Sequence, residues 1–257
     1  MRPGSWLLPI AFAAFGVMWG VWQSVLPDLA RHHGLTSGPL GTILTLGFAV
    51  ALPAMLLTGR LVDRLGAGWG MAITATSMAA GMLLVATLAP LGALVLGVIL
   101  MAAGSGAYDV AINGAAMGDE AWSRPACLTL LHAAFSGGGM AGAIGAGLEI
   151  GAGVTFQLVY APPAAVLLVT ALLAARSGWH APPPKGRVPR AVALAMLPLA
   201  MIAALAFVAE GSMETWSAIY LRDELGTAAL SAPSVPLPFT PQTEQVNLPR
   251  EVAPVSG

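Results

Sequence analysis

Few residues in this chain of 257 can hold a proton or grip a polar solute, and the informative ones lie inside apolar stretches. Asp109 follows Gly104, Ser105 and Gly106 and precedes Asn113, and this spacing puts Gly106, Asp109 and Asn113 on one helix face. A carboxylate in hydrocarbon is costly unless it faces a cavity or a partner, so Asp109 is a candidate functional site and a candidate proton carrier. Its plainer role is to pair with another helix for packing. His132 and Ser136 are one turn apart in a second stretch, where the histidine either lines a cavity or hydrogen-bonds a neighbour. One turn supplies no third group to orient a nucleophile–base pair, which argues against a membrane serine protease. Glu210 and Glu214 share a face in a third stretch, and two close carboxylates hold a proton between them more readily than either does alone. Alternatively, Glu214 sits at an interface beside Trp216 and Tyr220 as belt residues. In the first stretch Trp19 and Gln23 are again one turn apart, and Gln23 is its main internal polar group and a candidate substrate contact. Glu120 and Arg124 read as a solvated pair beyond the span that carries Asp109.

The elements that carry these groups are long and apolar. Hydrophobic residues make up 57% of the chain and charged ones 9%, with a mean hydropathy of +0.79. Soluble domains carry about a quarter charged residues, so this balance excludes a soluble globule. Runs of spanning length fall near 6–27, 39–58, 69–89, 91–117, 126–150, 154–176 and 191–221. Backbone groups in hydrocarbon must be satisfied within the segment, and the short alternating strands of a barrel are absent, so the runs predict helices and an all-α integral membrane protein. The first run follows a single basic residue, Arg2, without a small-residue cleavage site, and reads as a retained anchor. Short connections at Ala89-Pro90 and at Glu149 to Gly153 predict tight antiparallel hairpins. With the N-terminus cytoplasmic, that side holds Arg2, Arg60, Arg64, Arg124, Arg176, Lys185, Arg187 and Arg190, leaving Arg31, Arg222 and Arg250 outside. The bias favours a cytoplasmic N-terminus.

Several function classes fall away on composition. A net charge of −1 without a basic block argues against nucleic acid as a partner. The single cysteine, Cys127, has no partner at metal-ligand spacing, so neither a metal nor a cofactor is implied. Lys185, the one lysine, lies in a polar loop rather than in the seventh run, where a retinal Schiff base would need it. Asp109 is the only aspartate well inside a run, too few for an intramembrane aspartyl protease. Repeated arginines and a filter motif of channel type are both missing.

Composition also divides the chain. Residues 1–176 hold six runs; 177–190, with sequence SGWHAPPPKGRVPR, form a polar, proline-rich cytoplasmic linker; 191–226 hold the seventh run. Residues 227–257 are expected to be a disordered tail, the last 27 residues containing six prolines and no spanning run.

Between the second and third runs stands Gly59-Arg60-Leu61-Val62-Asp63-Arg64-Leu65-Gly66. It resembles the signature loop of the major facilitator superfamily, in which glycines permit a tight turn and an aspartate and arginine latch the two halves of a transporter on the inside. The resemblance assigns those roles to Gly59, Asp63, Arg64 and Gly66; Ala67 and Gly68 depart from it, standing where basic residues are common. The string from Gly104 to Ser136, and Glu210-Gly-Ser-Met-Glu-Thr-Trp-Ser-Ala-Ile-Tyr-Leu221, are similar to the bacterial sugar-permease-like branch of that family. The resemblance covers residues 6–226. It implies a six-helix N-terminal bundle plus the first helix of a second half, apparently truncated relative to a family norm of twelve spans. It further implies secondary active transport of a small solute across the bacterial inner membrane by alternating access, with proton coupling through Asp109 and Glu210 and membrane lipid as the surroundings. The alternatives are a non-functional fragment of an interrupted gene and a half-transporter that self-associates as a dimer.

Overall fold

The computed structural model describes residues 6–87, 90–119, 122, 124–179 and 190–226. The expected tail 227–257, most of the linker and Glu120 lie outside them. The described chain is helical: α1 (Leu7–His32), α2 (Ser37–Leu65), α3 (Ala67–Val85), α4 (Leu91–Met117), α5 (Pro125–Gly151), α6 (Phe156–Val159), α7 (Ala161–Arg176), α8 (Arg190–Ala195) and α9 (Leu197–Ile219). A π-helical segment, Tyr220–Glu224, ends it. Among the described residues, six helical stretches are long and apolar enough to cross a membrane: α1 to α5, and α6 with α7 taken together. The seventh run becomes α8 and α9, and α9 with 23 residues is about 35 Å long.

Proline sets several helix boundaries. Pro125 opens α5, where its missing N–H would be unpaired in any case. Pro162 and Pro163 begin α7 after a break at Tyr160, and Pro198 follows a break at Met196 between α8 and α9. In each case the ladder loses a donor and the helix restarts.

Small residues set the packing. α1 lies along α5 in the same direction, α4 between α2 and α3, and α3 against α7, which also touches α1. A Cβ at Gly16 would fall on the Phe135 carbonyl, one at Gly20 on the Gly139 carbonyl, one at Gly138 on that of Ala13 and one at Gly142 on that of Val17. The two backbones are therefore in direct contact, as small-residue faces permit in lipid. The expected hairpin of α3 with α4 forms, with Gly81 against Gly97 and Met101. The expected hairpin of the fifth and sixth spans does not form as a packed pair. The glycine face of α5 is taken by α1, and α7 packs on α3 instead.

A second correction concerns Gly59 to Gly66. The segment expected as a loop is helix up to Leu65, and the reversal into α3 rests on Gly66 alone, at φ 87° and ψ 161°. That region of backbone space is open to glycine and costly for other residues.

Candidate functional site

Asp109 and Asn113 lie on α4, both half-buried. The Asn113 side-chain amide donates to Asp109 Oδ1 at 2.9 Å and to the Asp109 main-chain carbonyl at 3.0 Å. The carboxylate is thereby oriented along its own helix, with its other oxygen left for a second partner. Asp109 is five residues beyond the middle of α4, so the group sits about 8 Å from the helix centre, toward the end that carries Gly66 and Arg124.

His132 on α5 is exposed, within electrostatic reach of Asp109, and edge-on to Phe12 of α1 with ring centroids 5.5 Å apart. An aromatic layer fixes the three helices at this level. Phe15 meets Tyr108 at 5.4 Å and Phe135 at 5.4 Å, and the buried Tyr108 hydroxyl donates to the Ala11 carbonyl at 3.3 Å. Phe12, Phe15 and Tyr108 escape a reading of the sequence because an aromatic in an apolar span looks like any other core residue. The structure thus joins Asp109 and Asn113 directly on α4, with His132 of α5 within electrostatic reach rather than in contact.

Trp19 and Gln23 are half-buried on α1, further toward the opposite end, and Gln23 makes no hydrogen bond among the described residues. Glu210 and Glu214 fall within α9, and their side chains lie outside the described residues. Ser136 is exposed one turn beyond His132.

The latch residues separate into two groups. Gly59, Asp63 and Arg64 are exposed on the last turns of α2, and a Cβ at Gly59 would meet nothing within 4 Å, so this glycine serves neither a turn nor a close approach. Gly66 makes the turn. The close approach belongs to Gly68, whose N–H donates to the Trp179 carbonyl at 3.0 Å and whose added Cβ would lie 2.6 Å from the Ala174 carbonyl. A residue outside the expected pattern therefore seats α3 against the end of α7.

At the opposite end is a charged contact that the sequence did not announce. Arg222, in the π segment after α9, reaches Asp28 of α1 with NH1–Oδ2 at 2.6 Å and NH2–Oδ1 at 3.1 Å, and the Ser24 carbonyl at 3.3 Å. Arg31 binds the same carboxylate at 2.7 Å from its own helix. Trp216 lies against Gly41 of α2, and Ala218 is buried, whereas Leu199, Met201, Ile202 and Leu205 nearer the start of α9 are exposed. α9 is thus fastened at the Asp28 end, while its described apolar side chains nearer the start are exposed.

Among the described residues, six helical stretches of spanning length packed on glycine faces mark a multi-pass membrane protein. The chain belongs to the major facilitator superfamily, whose sequence pattern it matches over residues 7–240, fourteen residues beyond the expected end of the resemblance. It is similar to an uncharacterized MFS-type transporter of Yersinia pestis, at 27% identity over 218 residues covering 82% of this chain and 56% of that protein. It is also similar to an uncharacterized transporter of Sinorhizobium fredii, at 28% identity over 224 residues, covering 84% and 58%. The chain therefore spans just over half the length of these curated relatives.

Proposed function

We propose that these residues form the N-terminal half, and the first helix of the second half, of a secondary transporter that moves a small polar solute across the bacterial inner membrane by alternating access, coupled to protons. The observation that carries this reading is the half-buried Asp109–Asn113 pair, within a spanning helix and in electrostatic reach of His132. A carboxylate at that depth is retained where it binds a solute or carries a proton. Trp19 and Gln23 would extend the site along α1, and Glu210 and Glu214 of α9 are further candidates for proton coupling. The arginine asymmetry supports a cytoplasmic N-terminus. On that orientation the Asp28–Arg222 clasp closes the outer side, and Asp63 and Arg64 stand at the inner side. Residues 1–176 would act as one rocking body, 177–190 as the linker, and 191–226 as the start of the second body. Since the matched residues cover only 56% and 58% of the relatives, the transport activity is proposed for a full-length protein carrying these residues.

The test is proton-driven uptake by a full-length protein carrying these residues, with Asp109→Asn. The expected result is loss of accumulation against a gradient, with counterflow exchange retained. Unchanged accumulation would remove Asp109 from the coupling.

A further inference from the structure

A groove of about 590 Å³ runs between α2, α3 and α4 at the Gly66 end of the bundle. Its lining is mostly apolar or weakly polar, including Leu57, Leu61, Ile73 and Ala107, and its charged members are Arg60 and Arg64. Leu57, Leu65 and Ile73 are exposed along it, as for a surface that meets acyl chains rather than water. Arg60 and Arg64 are one turn apart on α2 and make no ion pair with any described residue. Asp63, the acidic residue between them, does not line the groove. Two guanidinium groups beside an apolar slot at the end of a spanning helix match an amphiphile with an anionic head and a hydrocarbon tail. Arginine is suited to the head, because its fork binds phosphate oxygens in pairs. Basic pockets between spanning helices on the cytoplasmic side recognise lipid headgroups in the same way.

We propose that this groove binds one anionic phospholipid, its phosphate held by Arg60 and Arg64 and an acyl chain lying over Leu57, Leu61 and Ile73. The site is separate from the Asp109 cluster, and the proposal does not depend on the transported solute.

The test is lipid retention by the purified chain, reconstituted in bilayers of equal phosphatidylglycerol and phosphatidylcholine and read by native mass spectrometry after detergent transfer. Phosphatidylglycerol should be retained over phosphatidylcholine by roughly tenfold. That preference should vanish in Arg60→Gln/Arg64→Gln, largely survive in Arg60→Lys/Arg64→Lys, and be untouched in Arg176→Gln, a basic residue outside the groove. Ile73→Trp, which fills the wall without altering charge, should lower retention of phosphatidylglycerol at an unchanged melting temperature. Equal retention of the two lipids would overturn the proposal, as would a preference that persists in the double glutamine variant. So would displacement of the lipid by inorganic phosphate beyond the effect of sodium chloride at matched ionic strength, because the site would then be one for a free anion.

Discussion

Neutralising Asp28 should release α9 from α1. The Arg222 and Asp28 side chains are only 10% and 21% exposed and share two contacts, so the pair is largely removed from solvent. Unit charges 4 Å apart attract by about 4 kcal/mol at an effective dielectric of 20. Desolvation and the ordering of two long side chains offset part of this, and a hydrogen bond to a charged group contributes about 2 kcal/mol net, or roughly thirtyfold in an equilibrium constant. Arg31 keeps its carboxylate contact from the same helix and orients Asp28 without tying it to α9. Asp28→Asn preserves shape and removes the charge. The assay is the distance between spin labels at Ser37→Cys and Leu225→Cys, both exposed at this end, in a Cys127→Ser background in nanodiscs. The parent should give one short distance, and Asp28→Asn a substantial long-distance population. The swapped pair Asp28→Arg/Arg222→Asp should recover part of the short one. An unchanged distribution in Asp28→Asn would refute the assignment of the clasp to this ion pair.

The glycines separate by environment. Gly20→Val and Gly142→Val press a branched side chain onto a facing carbonyl and should each lower stability by about 3 kcal/mol or more, seen as loss of the monodisperse peak and of the thermal transition. Gly145→Ala has open space and should melt with the parent. At the ends of the expected signature segment, Gly66→Ala should destabilise by about 1–3 kcal/mol through its positive φ, while Gly59→Ala, within an exposed helix, should be neutral or stabilise by up to about 1 kcal/mol; equal effects in thermal melts would contradict the single-residue turn. Tyr108→Phe removes one buried hydroxyl and its bond to Ala11, and should cost about 1 kcal/mol in the same melts.

The spans were legible because hydrocarbon imposes one requirement on every residue of a segment, and the length of an apolar run reports it directly. Asp109 and Asn113 were legible for the same reason: a polar pair at helical spacing in such a run has a cost that calls for a partner, and each supplies the other's. The pairing of Asp28 with Arg222 spans 194 positions, and neither residue's neighbours carry a trace of it. Which helix takes the glycine face of α5 was equally hidden, because small residues permit close approach without naming the partner, so chain adjacency pointed to α7 where α1 is found. Gly59 and Gly68 show the limit of a motif. Spacing gives the residue type, but the side on which a neighbouring backbone passes decides whether a glycine is needed.

The most direct test is which side of the membrane reaches the Asp109 cluster. His132→Cys and Ser136→Cys, each in a Cys127→Ser background, would be treated with a membrane-impermeant maleimide in intact cells and in inverted vesicles. With the proposed cytoplasmic N-terminus, the Asp28–Arg222 clasp lies on the outer side, which predicts rapid labelling in inverted vesicles and little in intact cells. Labelling from outside alone, or from neither side as for a lipid-facing surface, would contradict a solute cavity on this face of α4 and α5.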